Sequence, residues 1–312
     1  MLRKQIVFFC LFLSTNVMQA LSISSFTKPK VDTNENKRGW ELDLNRVSLN
    51  FTQSSLTNQN LYTNFSDSNL KGNSQLALQF FLTFNASYYA RRFVVFNSLV
   101  GEYGFTEVQQ NNDTTVRNKN LDKFLISADY TQRVWDFDWG FESFEMGPYM
   151  KFSYQTEFVA TQRIGRRQIF TYTLGAKLFE GKYIKGFYLN VFGEHDANPN
   201  IGLNSLGLET GVELEYKFNS NVRWLYLTSF KQYLFNARNS LINPKYQFLL
   251  ETRIEAKLFR RFSIAPMLRF YMLKAENIEV PASNLILGVS FGFSKMLVPP
   301  DQVAKGVYDF SN

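Results

Sequence analysis

The sequence predicts an all-β fold: a single transmembrane, antiparallel, up-and-down β-barrel of about twelve strands with both termini periplasmic. Three observations predict it. Twelve stretches alternate apolar and polar side chains at period two, the repeat of a strand whose two faces meet different surroundings. The connections between them alternate between long and short, as in a membrane barrel with external loops and tight periplasmic turns. Aromatics make up 17% of the 312 residues, with 32 Phe and 16 Tyr, which suits a wall with interfacial girdles.

Taken in order, residues 1–20 read as a secretory signal. Arg3 and Lys4 give the charged start, Ile6 through Leu13 the apolar stretch, and Met18-Gln19-Ala20 the cleavage site. Eight apolar residues are too few to cross a bilayer core of ~30 Å as a helix. Cys10, the only cysteine, lies inside this leader. The mature chain is therefore expected to carry no disulfide, iron–sulfur cluster or thiolate zinc site. Losing the leader takes the formal charge from +7 to +5, and the charges are interspersed, so nucleic acid is not an expected partner. Residues 21–39 are polar and read as a periplasmic linker, 40–296 as the barrel, and 297–312 as a periplasmic tail begun by the strand-stopping Pro299-Pro300.

Strands are expected at 40–52, 75–89, 92–106, 121–134, 145–158, 168–180, 186–195, 204–218, 222–235, 245–258, 262–273 and 284–296. Most exceed the ~9–11 residues that a tilted strand needs to cross the hydrocarbon layer. Tight links such as Ala90-Arg91, Asn219-Ser220-Asn221 and Phe259-Arg260-Arg261 fall on the periplasmic side. Polar stretches at 53–74, 107–120, 196–203 and 236–244 fall outside. Residues 135–144 are long for a periplasmic turn and read as a strand extension with a bulge.

Segment 204–218 sorts most clearly. Leu206, Leu208, Thr210, Val212, Leu214, Tyr216 and Phe218 share one face; Gly207, Glu209, Gly211, Glu213, Glu215 and Lys217 share the other. Segment 245–258 repeats this, with Glu251, Arg253, Glu255 and Lys257 on its polar face. A soluble sandwich or lipocalin-like barrel has the same period with the apolar face inward. The leader, the long aromatic-ended strands and the alternating loops favour lipid outside. Charges at mid-bilayer would then fix the register, each costing about 2–4 kcal/mol on the lipid face. Val212→Arg is thus expected to be costly, and Gly211→Ser on the lumen side far less so.

With the polar face as lumen, Glu209, Glu213, Glu215, Arg223, Lys231, Glu251, Arg253, Glu255 and Arg269 are the principal lumen-facing candidates. Lys123, Asp129, Arg133, Lys151, Glu157, Lys177, Glu194, Lys217 and Lys257 join them. Cations and carboxylates nearly balance, which predicts ion-paired packing or a narrow wet channel rather than a ring of one sign.

Gly288, Phe291 and Phe293, within Ile286 to Phe293, resemble the final-strand insertion signal of Gram-negative outer-membrane β-barrel proteins. Here Ile286 stands where a polar residue is usual, and nineteen residues, 294–312, follow. The resemblance implies insertion by the barrel-assembly machinery into outer-membrane lipid. More loosely, residues 40–158 resemble an uncharacterised family of predicted envelope barrels, through Leu49 to Gln53, Val100 to Gly104 and Tyr154 to Phe158. That resemblance implies an outer-membrane location and transfers no functional residue.

No enzyme is expected. His195 is the only histidine, and Ala197 stands where a lipase-type twelve-stranded barrel places a serine two residues after its histidine. The acidic pair Asp136 and Asp138 falls on the opposite side of the membrane from His195. No phosphate loop, nucleophile elbow or dinucleotide fingerprint is present. No cofactor or metal is expected. Asn50, Asn64, Asn85 and Asn112 head glycosylation-type triplets, two of them inside predicted strands. The leading expectation is a narrow porin-like channel for small polar solutes. The alternative is a non-conducting structural or surface-binding barrel with loops 53–74 and 107–120 as its contact surface.

Overall fold

A computed structural model describes residues 35–62, 68–70, 76–109, 115–138, 142–160, 166–197, 203–237 and 243–304. The expected leader, residues 21–34 of the linker, residues 305–312 of the tail, and Asn64 and Asn112 lie outside the described residues.

The chain forms strands β1 (Glu35–Thr57), β2 (Leu76–Tyr89), β3 (Phe93–Gln109), β4 (Thr115–Gln132), β5 (Trp135–Asp138), β6 (Ser143–Thr156) and β7 (Gln168–Phe179). They are followed by β8 (Ile184–Asp196), β9 (Asn204–Lys217), β10 (Val222–Asn236), β11 (Pro244–Phe259), β12 (Phe262–Ala275), β13 (Ala282–Val298) and β14 (Asp301–Ala304). Twelve of these pair antiparallel with their sequence neighbours, and β13 pairs back onto β1 to close a barrel. Closure leaves no unpaired edge in the wall. Because the strand number is even, β1 begins and β13 ends at the same end, here called the terminal end. The connections there are short, such as 90–92, 180–183, 218–221 and 260–261. Those at the opposite end are longer, led by 58–75 and 157–167.

Two strands add to the wall at the terminal end. β5 pairs with the start of β6, Trp135 opposite Met146 and Asp138 opposite Ser143. Residues 135–138 are therefore the strand extension expected there. A bulge sits at its root: β4 ends its pairing at Thr131 opposite Tyr149, and β5 resumes at Trp135 opposite Met146. Three residues, 132–134, thus face two, 147–148. Gly147 is required at this kink, since a Cβ there would fall 1.5 Å from the Gln132 carbonyl oxygen. β14 pairs with Glu35–Arg38 at the start of β1. This corrects the expected linker and tail boundaries. The first strand starts at Glu35 rather than at 40, and the chain re-enters the sheet after Pro299-Pro300. Each segment supplies the backbone partner that the other needs, so neither could be read as a strand from its own side-chain pattern.

The two faces separate as the alternation requires. Leu174 at 63% and Met150 at 54% relative exposure point outward, while Asp43, Glu102 and Glu251 on inward positions are at 0%. At the terminal end the outer rim carries Trp40, Trp135, Tyr216, Phe218, Trp224, Phe259 and Phe262. Trp40 packs on Tyr88 at 5.1 Å and Phe259 on Phe262 at 5.0 Å between ring centroids. Phe152, Tyr154 and Phe170 form a similar cluster toward the other end, Tyr154 and Phe170 at 4.9 Å. Aromatic bands at both ends of an apolar strip match the two interfaces of a bilayer.

Inward glycines make room for rings. Tyr188 and Phe192 on β8 lie across from Gly211 and Gly207 on β9. A Cβ at Gly211 would come within 2.3 Å of the Tyr188 hydroxyl. This corrects the expectation for Gly211→Ser: a side chain there would have to displace a buried tyrosine ring, so position 211 is not a mild control.

Candidate functional site: the barrel interior

The interior is filled in three tiers. The floor lies at the terminal end. Tyr89, Val94 and Phe179 are buried together with Phe96; Tyr89 meets Phe96 at 6.0 Å and Phe96 meets Phe179 at 6.1 Å, both edge to face. Below them Lys37 bridges Glu41 at 3.1 Å and Glu180 at 3.2 Å. The Tyr89 hydroxyl donates to Glu180 at 3.0 Å. Glu180 sits in a turn with φ 59°, in the left-handed region, which aims its carboxylate back under the barrel. Arg133 engages Glu145 with two nitrogens, a fork geometry that fixes the β5–β6 extension to the wall.

The second tier is a charged belt. Glu102 receives Lys123 and Arg269, each at 3.6 Å. Arg46 lies 3.9 Å from Glu251, donates to Ser48 at 2.7 Å, and covers the Phe81 ring at 4.7 Å. Arg253 reaches Glu255 at 3.4 Å, and Arg223 joins Glu255 at 3.0 Å to Glu215 at 3.8 Å. Removing one partner of such a pair would strand a buried charge, at a cost of about 3–5 kcal/mol.

The third tier, toward the long-loop end, combines a plug with a cavity. Two short 3-10 turns, Gln59–Tyr62 and Ser68–Leu70, carry the first long loop into the barrel. Tyr62 and Leu70 join the inward Leu249, Tyr271 and Leu273 in one apolar cluster. The Tyr62 hydroxyl donates to the Val280 carbonyl at 2.7 Å and accepts from the Ala275 amide at 3.2 Å. Burial raises the pKa of this phenol, which keeps it neutral for both roles. Asn69 accepts from Arg269 at 2.8 Å and from Asn284 at 2.7 Å. Among the described residues of 53–74, expected as an external contact surface, Tyr62, Asn69 and Leu70 face inward instead, because the inward leucines of β10–β12 offer an apolar socket. Beside this plug lies a cavity of about 70 Å³, bounded by Asn69, Tyr271, Lys123, Lys151, Lys231 and Arg167 among others. That volume is enough to hold water.

Glu209, Glu213, Glu215, Lys231, Glu251, Arg253, Glu255 and Arg269 all sit on inward positions and are buried, and Arg223 is largely so. They do not form one site. Arg253, Glu255, Arg223 and Glu215 make a chain in the belt, Arg269 belongs with Glu102, and Lys231 pairs with Glu194 beside the cavity. Lys217 and Lys257, also placed in the lumen from the pattern, are exposed, because they fall where their strands run out at the terminal rim. Gly288 points inward at the seam and Phe291 outward, edge to face with Phe51 at 6.2 Å. Phe293 packs on Phe262 at 5.3 Å. The floor aromatics, the plug residues and the polar wall around Lys151 were not singled out from sequence. The adjacent inward leucines of β10, Leu225 and Leu227, were the available sign that something apolar fills the lumen.

His195 lies exposed on the outer face near the long-loop end of β8. Its Nδ1 is 2.6 Å from Asn204 Oδ1 on β9, and its ring stacks on Phe170 at 6.4 Å. Ala197, two residues on, brings no hydroxyl. Asp136 and Asp138 lie at the opposite end of the barrel from His195. Among the described residues no group of three or more His, Cys, Asp or Glu could hold a metal ion.

No family model matches the chain, and no curated protein matches it. Among solved structures, the chain is similar to an outer membrane channel from Pseudomonas putida F1, with TM-score 0.48 and 8% identity over 88% of this chain and 100% of that one. It is also similar to outer membrane phospholipase A from Escherichia coli, with TM-score 0.43 and 9% identity over 86% of this chain and 98% of that one. A third likeness is to the outer membrane channel DcaP of Acinetobacter baumannii, with TM-score 0.39 and 8% identity over 86% and 100%.

Proposed function

We propose that this chain is an outer-membrane β-barrel that is closed to free diffusion and acts as a solute- or surface-binding barrel. An apolar outer strip between aromatic rims supports the membrane location, and the expected leader supports export. The observation that carries the closed reading is the floor: Tyr89 on β2, Phe96 on β3 and Phe179 on β7 pack together inside the barrel beside the Lys37–Glu41–Glu180 bridge. The ion-paired belt fills the space above it. In planar lipid bilayers the folded protein is expected to show no steady conductance. Ohmic steps from the unaltered protein would contradict this reading.

A second reading, a narrow channel for small polar solutes, is favoured by the cavity beside the plug. It requires the floor rings and the belt pairs to move apart, and the same conductance measurement separates the two.

A further inference from the structure

Four polar side chains on the cavity wall make no hydrogen bond or ion pair among the described residues. Lys151 and Ser153 on β6 lie directly opposite Thr173 and Thr171 on β7, which brings the four side chains together on one inward patch. All four border the cavity. Lys151 is the informative member. Its cross-strand neighbour is Asp129. That carboxylate is taken by Lys177 at 2.8 Å and by the Thr131 hydroxyl at 2.6 Å. Glu209 and Glu213, the other carboxylates whose fields reach Lys151, make no ion pair with it among the described residues. The remaining cations at the cavity each have a carboxylate partner: Lys123 has Glu102, Arg167 has Asp196 at 3.1 Å, and Lys231 has Glu194. Glu194 is the one carboxylate on the cavity lining, and Lys231 holds it. A lysine facing a small enclosed polar space needs a counter-charge. The three hydroxyls of Ser153, Thr171 and Thr173 on the same patch can donate hydrogen bonds to an oxyanion.

We propose that this patch binds an oxyanion group, carboxylate or phosphate, of a small soluble solute, with Lys151 as its counter-charge and Ser153, Thr171 and Thr173 as hydrogen-bond donors. This rests on the binding-barrel reading above and gives it a ligand class. The space suits one charged head group rather than a whole sugar or peptide, so any larger part of the solute extends toward Arg167 at the long-loop end.

The test uses the folded protein in dodecyl maltoside at low salt, with folding checked by heat-modifiable gel migration. Inorganic phosphate is followed by phosphorus line width and acetate by saturation-transfer NMR. Binding of both is expected. Lys151→Met should weaken it at least tenfold, Lys151→Arg should keep it, and Lys217→Met at the exposed rim should leave it unchanged. If Lys151→Met does not fold, Thr173→Val should weaken binding by a smaller factor. Equal binding by Lys151→Met and the unaltered protein, or no binding of either anion, would overturn the site. The two proposals fail separately. A conducting protein that still loses anion binding with Lys151→Met overturns the closed floor and leaves the site standing. A non-conducting protein indifferent to residue 151 does the reverse.

Discussion

Val212, near the middle of β9, points outward between Phe187 on β8 and Thr228 on β10. Its neighbours in sequence, Gly211 and Glu213, point inward and are buried. Val212→Arg would put a guanidinium into hydrocarbon and should destabilise the barrel by about 2–4 kcal/mol in denaturant unfolding. Ser153→Asn, which enlarges a side chain facing the wet cavity, should cost no more than about 1 kcal/mol. Equal losses would mean the faces are misassigned. At this scale the sequence was most readable where charge alternates with apolar residues, as from Leu206 to Glu215, because one slipped residue would expose a row of carboxylates to lipid. It was least readable at Gly211, since nothing in β9 itself announces the Tyr188 ring laid across it from β8.

The seam between β1 and β13 is the element on which closure depends. Gly288 pairs with Thr52 there, and a Cβ at 288 would come within 2.5 Å of the Phe51 carbonyl oxygen and 2.7 Å of Thr52 Cγ2. Gly288→Ala should therefore cost about 1–3 kcal/mol by overpacking, read as a lower denaturant midpoint and a larger unfolded band in unboiled gels. No change in either would show that the seam has slack. The resemblance to a final-strand signal drew attention to this glycine, and the seam gives the physical need for it. Strand centres were legible throughout because both faces are patterned. Strand ends were not: β1 and β14 extend each other through backbone pairing alone, which carries no side-chain period. Within the first loop, Tyr62 and Leu70 were not legible as plug residues, because the Ser, Asn and Thr around them resemble an exposed loop.

At the scale of the whole molecule, the barrel is a wall turned inside out relative to a soluble one. Its oily surface faces outward and its charges are packed and paired within. The fold class and the polar interior were legible because they are properties of every strand. The occluded floor and the Lys151 patch were not, since each is assembled from residues far apart in sequence that meet only when the sheet closes, as Tyr89 and Phe179 do. The facing itself can be measured one position at a time, because Cys10 is the only cysteine and single replacements can carry a nitroxide label. With Cys10 substituted, labels at 206, 208, 212 and 214 of the bilayer-reconstituted protein should collide readily with lipid-dissolved oxygen, and labels at 209, 213 and 215 should be shielded. Oxygen contact at the glutamate positions, or no period-two alternation along β9, would contradict the account.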